Sequence, residues 1–209
     1  MTQNLEAVKS EPKNGNMKFH SGKSELEFTV ENFWSWAFSN LLNNVTRGCL
    51  AEFIVAKALK TAKDVRNPWA AYDLDLPMKS GKPLKIEVKS AAYFQSWEQD
   101  KLSTIQFDIK KTKKLDSEAS KYVGKPKRHA EVYVFALLKE KDDKTKVNPL
   151  DVHHWAFYVV PTVRLNKRTR SQHSITLKSL EVEMDAKPVN YSDLRNVVLV
   201  AAKQQRSIR

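Results

Sequence analysis

Cysteine occurs once in this 209-residue chain, at Cys49. A lone cysteine excludes an internal disulfide framework and any cysteine-based zinc site. Glycine is also sparse, with five in the whole chain. The tripeptide Gly22-Lys23-Ser24 resembles the end of a phosphate-binding loop, but that motif needs glycine at position 17, which is Met17, and no strand is expected before it. Apolar runs such as Val197 to Ala202 stop far short of the roughly 18 residues a membrane span requires. The first twenty residues contain no apolar stretch of a secretory signal. A cytoplasmic setting is therefore expected, in which the sequons at Asn44 and Asn190 carry no meaning. Acidic residues are the scarce charge, 24 against 36 Lys and Arg, which leaves a formal net charge of +12. An excess of that size points to a polyanionic partner.

The remaining composition, 41% hydrophobic and 29% charged, is that of a globular chain with a substantial core. Residues 1–24 are polar, broken by Pro12, Gly15 and Gly22, and lack periodicity. They read as a disordered arm preceding a single domain over 25–209. Phe33, Trp34, Phe38, Leu41 and Leu42 recur at helical spacing within 29–43. A second helix is expected from an N-cap at Thr46, burying Leu50, Phe53, Ile54, Ala58 and Leu59. The period then changes to two over 70–76 and 84–90, the pattern of strands. Residues 108–129 read as a basic loop with at most a short helix. Residues 130–138 and 152–160 read as apolar strands, followed by a basic cluster over 164–170 and a short strand near Ile175. Ser192 is placed to cap a final helix. Helices followed by strands and mixed elements give an α/β (α+β) class, with a central mixed sheet flanked by helices.

The chemistry concentrates in one hairpin, Tyr72-Asp73-Leu74-Asp75-Leu76 and Lys85-Ile86-Glu87-Val88-Lys89-Ser90. Alternation puts Glu87 and Lys89 on one strand face, and Asp73 and Asp75 on one face of the other strand. A three-residue loop Lys79-Ser80-Gly81, with Gly81 left-handed, pairs Met78 with Lys82 and sets Asp73 opposite Glu87. Directly opposed Cβ atoms lie about 4.5–5.5 Å apart, close enough for two carboxylates to hold one cation. A two-residue loop slips the register and separates them. Oxygen ligands without cysteine or clustered histidine favour Mg²⁺, with Mn²⁺ able to substitute, and the Val88 carbonyl could add an oxygen. An ammonium at Lys89 beside such an ion suits charge stabilisation at a phosphodiester. An exposed face carrying Asp, Glu and Lys is otherwise an ordinary set of cross-strand ion pairs.

This order of residues resembles the PD-(D/E)xK phosphodiesterase superfamily, with its restriction-endonuclease-like fold, most clearly over residues 46–97. The resemblance implies Asp73 as the motif Asp, Glu87 as the motif acid and Lys89 as the motif Lys. It also implies Glu52 as the helical acid near the metals and Gln95 as a residue touching the site. The Pro expected before the Asp is Tyr72 here. Asp75 stands as the alternative metal Asp, although the register argument sets it opposite Lys85. The adjacent His153 and His154 would face opposite sides of a strand and so cannot form one metal pair.

A metal-dependent DNA nuclease of restriction, repair or mobile-element type follows as the expected function, with RNA as the other candidate polymer. The expected metal ligands are Asp73, Glu87, Glu52 and Val88. The expected contacts to nucleic acid are Lys110, Lys111, Lys113, Lys114, Lys127, Arg128, Arg164, Lys167, Arg168 and Arg170. No membrane partner is expected, and a homodimer is compatible with the type. The alternative is a nucleic-acid-binding protein on the same fold without chemistry.

Overall fold

The computed structural model describes residues 10–62, 65–116, 121–169 and 173–207. Within them the contacts divide the chain into two units. One runs to Asn40 and takes in residues 65–67; the other comprises Leu41–Ala62 and the chain from Pro68 onward.

The first unit contains strands β1 (Lys18–Ser21) and β2 (Ser24–Thr29), paired antiparallel, and helix α1 (Val30–Phe38). The tight turn between the strands has Gly22 at φ +62°, a left-handed conformation that favours glycine. Ordered structure thus begins inside the stretch that the sequence presents as an unstructured arm. Thr29 caps α1 through a reciprocal pair: its side chain accepts from the Asn32 N–H, and its own N–H donates to Asn32 Oδ1 at 2.8 Å.

In the second unit, helix α2 (Asn44–Leu59) starts two residues before the expected cap. Asn43 takes the capping role, its Oδ1 accepting from the Val45 N–H at 3.0 Å. The buried stripe is rotated accordingly, to Ala51, Ile54, Val55, Ala56 and Leu59 with Arg47, while Phe53 is exposed under the Lys57 ammonium.

A four-stranded mixed sheet follows, in the order β3 (Leu74–Leu76), β4 (Leu84–Ala92), β8 (Val132–Leu138), β9 (Trp155–Pro161). The β3–β4 and β8–β9 pairs are antiparallel, and β4 and β8 run parallel. Every residue of β8 is buried, as a central strand covered on both faces requires, which is why Val132-Tyr133-Val134-Phe135-Ala136-Leu137-Leu138 reads as a continuous apolar run. On one face, Ile86, Val88, Val134 and Phe157 pack with Ile54 and Val55 of α2 and with Leu194 and Val198 of α5 (Leu194–Ser207). The final helix begins at Leu194, which moves its cap position from Ser192 to Asp193. On the other face, Ala91, Tyr133, Phe135 and Val160 meet Phe107, Leu165, Ile175 and Leu180. Each such side chain contributes roughly 1.5–3 kcal/mol when fully buried.

This second layer consists of β5 (Gln106–Asp108) paired with β10 (Ser174–Thr176), helix α3 (Thr162–Lys167) and helix α4 (Leu177–Val182). Between β5 and β8, the expected basic loop is instead an antiparallel ribbon of β6 (Thr112–Asp116) and β7 (Lys121–Lys127), with β7 exposed along its whole length. Alternating apolar residues are missing from β7 because that strand has no core face to supply them. His153 and His154 lie in a 3₁₀ turn before β9, not on a strand, and both approach the one carboxylate of Asp151.

Candidate active site

The hairpin turn sets the site. The Gly81 N–H donates to the Met78 carbonyl at 3.0 Å, and Gly81 has φ +79°, so a turn of three residues closes the hairpin. The register is therefore Leu74 with Ile86, Asp75 with Lys85 and Leu76 with Leu84. One residue beyond the strand end, the Asp73 N–H donates to the Ile86 carbonyl at 3.0 Å although Ile86 is already the partner of Leu74. The regular ladder therefore stops at Leu74, and the expected pairing of Asp73 with Glu87 gives way to a bulge-type step. Its side chain turns onto the neighbouring strand: Asp73 Oδ2 accepts from the Val88 N–H at 2.7 Å. The Val88 group that touches Asp73 is thus its N–H and not its carbonyl.

Glu87 and Lys89 project from one face of β4, and Glu87 Oε1 lies 2.6 Å from Lys89 Nζ. Their partners across the parallel β4–β8 pair are Tyr133 and Phe135. Burial pushes the Asp73 carboxyl up to about 7, with the charges of Glu87 and then Glu52 adding to the rise. The Val88 N–H and Lys89 offset part of that rise. Burial lowers Lys89, but Glu87, Asp73 and Asp108 outweigh it and hold the ammonium above its ordinary value. Burial, then Glu87, raises Tyr133 well above the usual phenol range, so the hydroxyl beside the carboxylates stays neutral. Two neighbouring carboxylates, with Glu52 acting on Asp73 as a third acid, and one ammonium make a place that a divalent cation would relieve.

Glu52 projects from α2, half-buried, and acts electrostatically on Asp73. Gln95 is engaged elsewhere. Its Oε1 accepts from Arg47 Nη1 at 3.1 Å, and its Nε2 donates to the Ala92 carbonyl and to Ser103 Oγ. This places Gln95 in a strut joining the start of α2 to the loop after β4. Asp75 forms a separate exposed group, accepting from the Tyr72 hydroxyl at 3.2 Å, while Lys85 Nζ lies over the Tyr72 ring. Among the described residues, no group of three or more His, Cys, Asp or Glu has the spacing to hold a metal ion. The acidic pair here is Asp73 with Glu87, whose charge acts on it. A pair suits Mg²⁺, which is usually held by one or two carboxylates and keeps several waters.

Of the basic residues, Lys110, Lys111, Lys113 and Lys127 are exposed on or beside the ribbon. Lys114 lies in β6, with its side chain outside the described residues, as is all of Arg170. Arg128 is no surface contact: it is buried, donating from Nε to the Ile109 carbonyl and from Nη1 to Asn166 Oδ1. Arg168 is held by Glu183 at 2.9 Å, and Arg164 and Lys167 share one short helix beside it. Tyr133 and Asp108 are neighbours that sequence reasoning does not supply. Tyr133 sits inside an apolar run that reads as core, and only the parallel β4–β8 pairing brings it to Glu87.

The sequence profile of bacteriophage T4 endonuclease IV matches residues 22–179, three quarters of the chain and the whole of the hairpin, α2 and the ribbon. No individual curated protein matches it. With Glu87 and Lys89 on one strand face and the Asp73 carboxylate seated on the Val88 N–H between them, the match has a chemical counterpart in the fold, and the chain belongs to the bacteriophage T4 endonuclease IV family of nucleases.

Proposed function

We propose that this protein is a metal-dependent DNA nuclease of the PD-(D/E)xK type, with Asp73, Glu87 and Lys89 as its working residues. The observation that carries the reading is the Asp73 carboxylate seated on the Val88 N–H at 2.7 Å, on the strand residue between Glu87 and Lys89, with Lys89 paired to Glu87 at 2.6 Å. Asp73 and Glu87 would hold Mg²⁺ or Mn²⁺, with Glu52 near the ion and the Val88 carbonyl as a further oxygen. When bound, such an ion lowers the pKa of water and neutralises charge on a phosphodiester. The residues of the chain do the rest. Asp73 is fixed by the Val88 N–H, so its second oxygen has a defined direction. Lys89 keeps its proton and offers a positive charge where the phosphoryl oxygens gain negative charge during in-line displacement. Tyr133, neutral and buried, stands beside Glu87 on the neighbouring strand. The resident ion pair of Lys89 and Glu87 holds the ammonium within reach of the reacting group.

Calorimetric titration with Mn²⁺ tests the ion site. The wild type should bind, and Asp73→Asn and Glu87→Gln should each weaken binding about tenfold or more, as expected for losing one of two charged ligands. Asp75→Asn should have little effect because Asp75 faces Lys85. Equal binding in all four proteins removes the ion from this site, and loss in Asp75→Asn alone moves it to the other Asp.

The β6–β7 ribbon supplies affinity without reading sequence. Lys111, Lys113, Lys125 and Lys127 are exposed on it, and Tyr122 is 66% exposed beside them. If the basic surface neutralises about five phosphates, the log–log salt slope on duplex DNA should be near −4 to −5. Replacing Lys111, Lys113 and Lys125 together by Ala should bring it roughly 2 to 3 units closer to zero. A slope near zero in the wild type contradicts a nucleic-acid partner.

A further inference from the structure

The second layer contains a basic cavity apart from the acid pair. Its volume is about 440 Å³, and it is lined by Arg164, Lys167, Arg168, Thr169, Glu183 and Met184. Three cations and one carboxylate line it, and the one carboxylate is committed. Glu183 Oε2 receives Arg168 Nε at 2.9 Å, and Glu183 Oε1 accepts from Ser179 Oγ at 3.0 Å. The rest of the Arg168 guanidinium is fixed by the Ser174 carbonyl and Ser179 Oγ, so Arg168 forms a rigid wall. Among the described residues, no carboxylate forms an ion pair with Arg164 or Lys167, which stand one helical turn apart on α3. The nearby Asp185 is paired at 3.0 Å with Lys187. Two positive charges in an open concave site that opposes them with one spent carboxylate suit a phosphate group.

The cavity also lies on the correct side of the sheet. Leu165 of α3, Leu180 of α4 and Met184 share a core with Tyr133 and Phe135, and those two are the register partners of Glu87 and Lys89. Buried Arg128 links the two regions, bonding to Asn166 of α3 through Nη1. The cavity thus belongs to the layer that covers the sheet face from which Glu87 and Lys89 project, at the helix that follows directly on β9.

The geometry points to a phosphate subsite in this cavity, in which Arg164 and Lys167 seat a backbone phosphate of the nucleic-acid substrate at a distance from the scissile bond. This rests on the nuclease reading for the identity of the substrate, and deepens it by assigning a second, positioning contact. Arg164 and Lys167 are positioning residues here and take no part in the chemistry.

The test is fluorescence anisotropy with a labelled 20-nucleotide DNA in EDTA, so that binding is read without cleavage. Arg164→Ala with Lys167→Ala should weaken binding about tenfold or more and bring the salt slope roughly 1.5 units closer to zero, the signature of two lost phosphate contacts. Lys167→Glu, an exposed single substitution that leaves the core untouched, should weaken it further than Lys167→Ala, and Lys167→Arg should restore it. Millimolar inorganic phosphate added at constant ionic strength should compete with the oligonucleotide in the wild type and less in the double variant. Unchanged affinity and slope in the double variant, or equal binding by Lys167→Ala and Lys167→Glu, overturns the subsite. Competition by phosphate with no change in oligonucleotide affinity likewise overturns it, because the cavity then takes free phosphate and not the backbone. Failure of the nuclease reading is distinct: wild-type protein would then bind with the predicted slope and cleave nothing when Mg²⁺ replaces EDTA.

Discussion

Lys89→Ala should cut DNA at least about a hundredfold more slowly than the wild type while holding Mn²⁺ and DNA nearly as well. Removing a single electrostatic stabiliser of developing charge typically costs a factor of this order. Lys89 Nζ is 2.6 Å from Glu87 Oε1, and burial of this pair on the β4 face keeps it next to the carboxylates. Because its charge matters most when the phosphoryl group gains charge, the loss should appear in kcat and not in KM. Lys85 is the internal control. It lies on the same strand but opposite Asp75, with its ammonium over the Tyr72 ring, so Lys85→Ala should leave turnover within about twofold. Equal cleavage by Lys89→Ala and wild type would reduce the Glu87–Lys89 pair to a salt bridge on a strand.

The acid pair should reveal itself in stability as well. Asp73 is raised from an ordinary value of 3.8 to about 7, first by burial and then by Glu87 and Glu52. A carboxyl with a raised folded-state pKa binds its proton more tightly when folded. Its contribution to stability is therefore full below about pH 4 and is lost as the pH rises to 7. In EDTA, the wild type should lose on the order of a few kcal/mol across that window from this group. Asp73→Asn keeps an oxygen for the Val88 N–H and removes the buried charge, so it should melt roughly 5 °C or more above the wild type at pH 8. The two should melt together near pH 4. Mn²⁺ should raise the melting temperature of the wild type at pH 8 and hardly move the variant. Identical melting of both proteins at pH 4 and pH 8 would show that the carboxylates do not act on one another.

The hairpin was legible because three local rules agree there. Strand alternation places Glu87 with Lys89, a left-handed Gly81 fixes the turn, and the turn fixes the register over Leu74–Leu76, while the irregular step at Asp73 lies beyond it. Helix α2 was legible in its extent but not its rotation. Phe53 reads as core by type, yet the helix buries small Ala51 and Ala56 and leaves Phe53 exposed, a rotation that residue type alone does not encode. The ribbon was hidden because a lysine-rich strand exposed along its whole length, as β7 is, lacks the period-two signal. Arg128 reads as a surface cation by composition, and its burial follows from long-range bonds to Ile109 and Asn166. Gln95 is a similar case: its amide is drawn into Arg47 and Ser103, contacts separated along the chain that no spacing encodes. Tyr133 needed the parallel pairing of β4 with β8 across the long ribbon insertion, a non-local contact that periodicity cannot supply.

Cleavage of DNA under control of a divalent ion tests the central claim most directly. Purified wild type and Glu87→Gln are incubated with supercoiled plasmid and with the same plasmid heat-denatured, in Mg²⁺, in Mn²⁺ and in EDTA. Wild type should break the strands with either ion and not in EDTA, and Glu87→Gln, which loses one of the two neighbouring carboxylates, should lose nearly all cleavage with both ions while still retarding the DNA in a gel. Cleavage that continues in EDTA, or that persists at the wild-type rate in Glu87→Gln, would contradict a nuclease site built on Asp73 and Glu87.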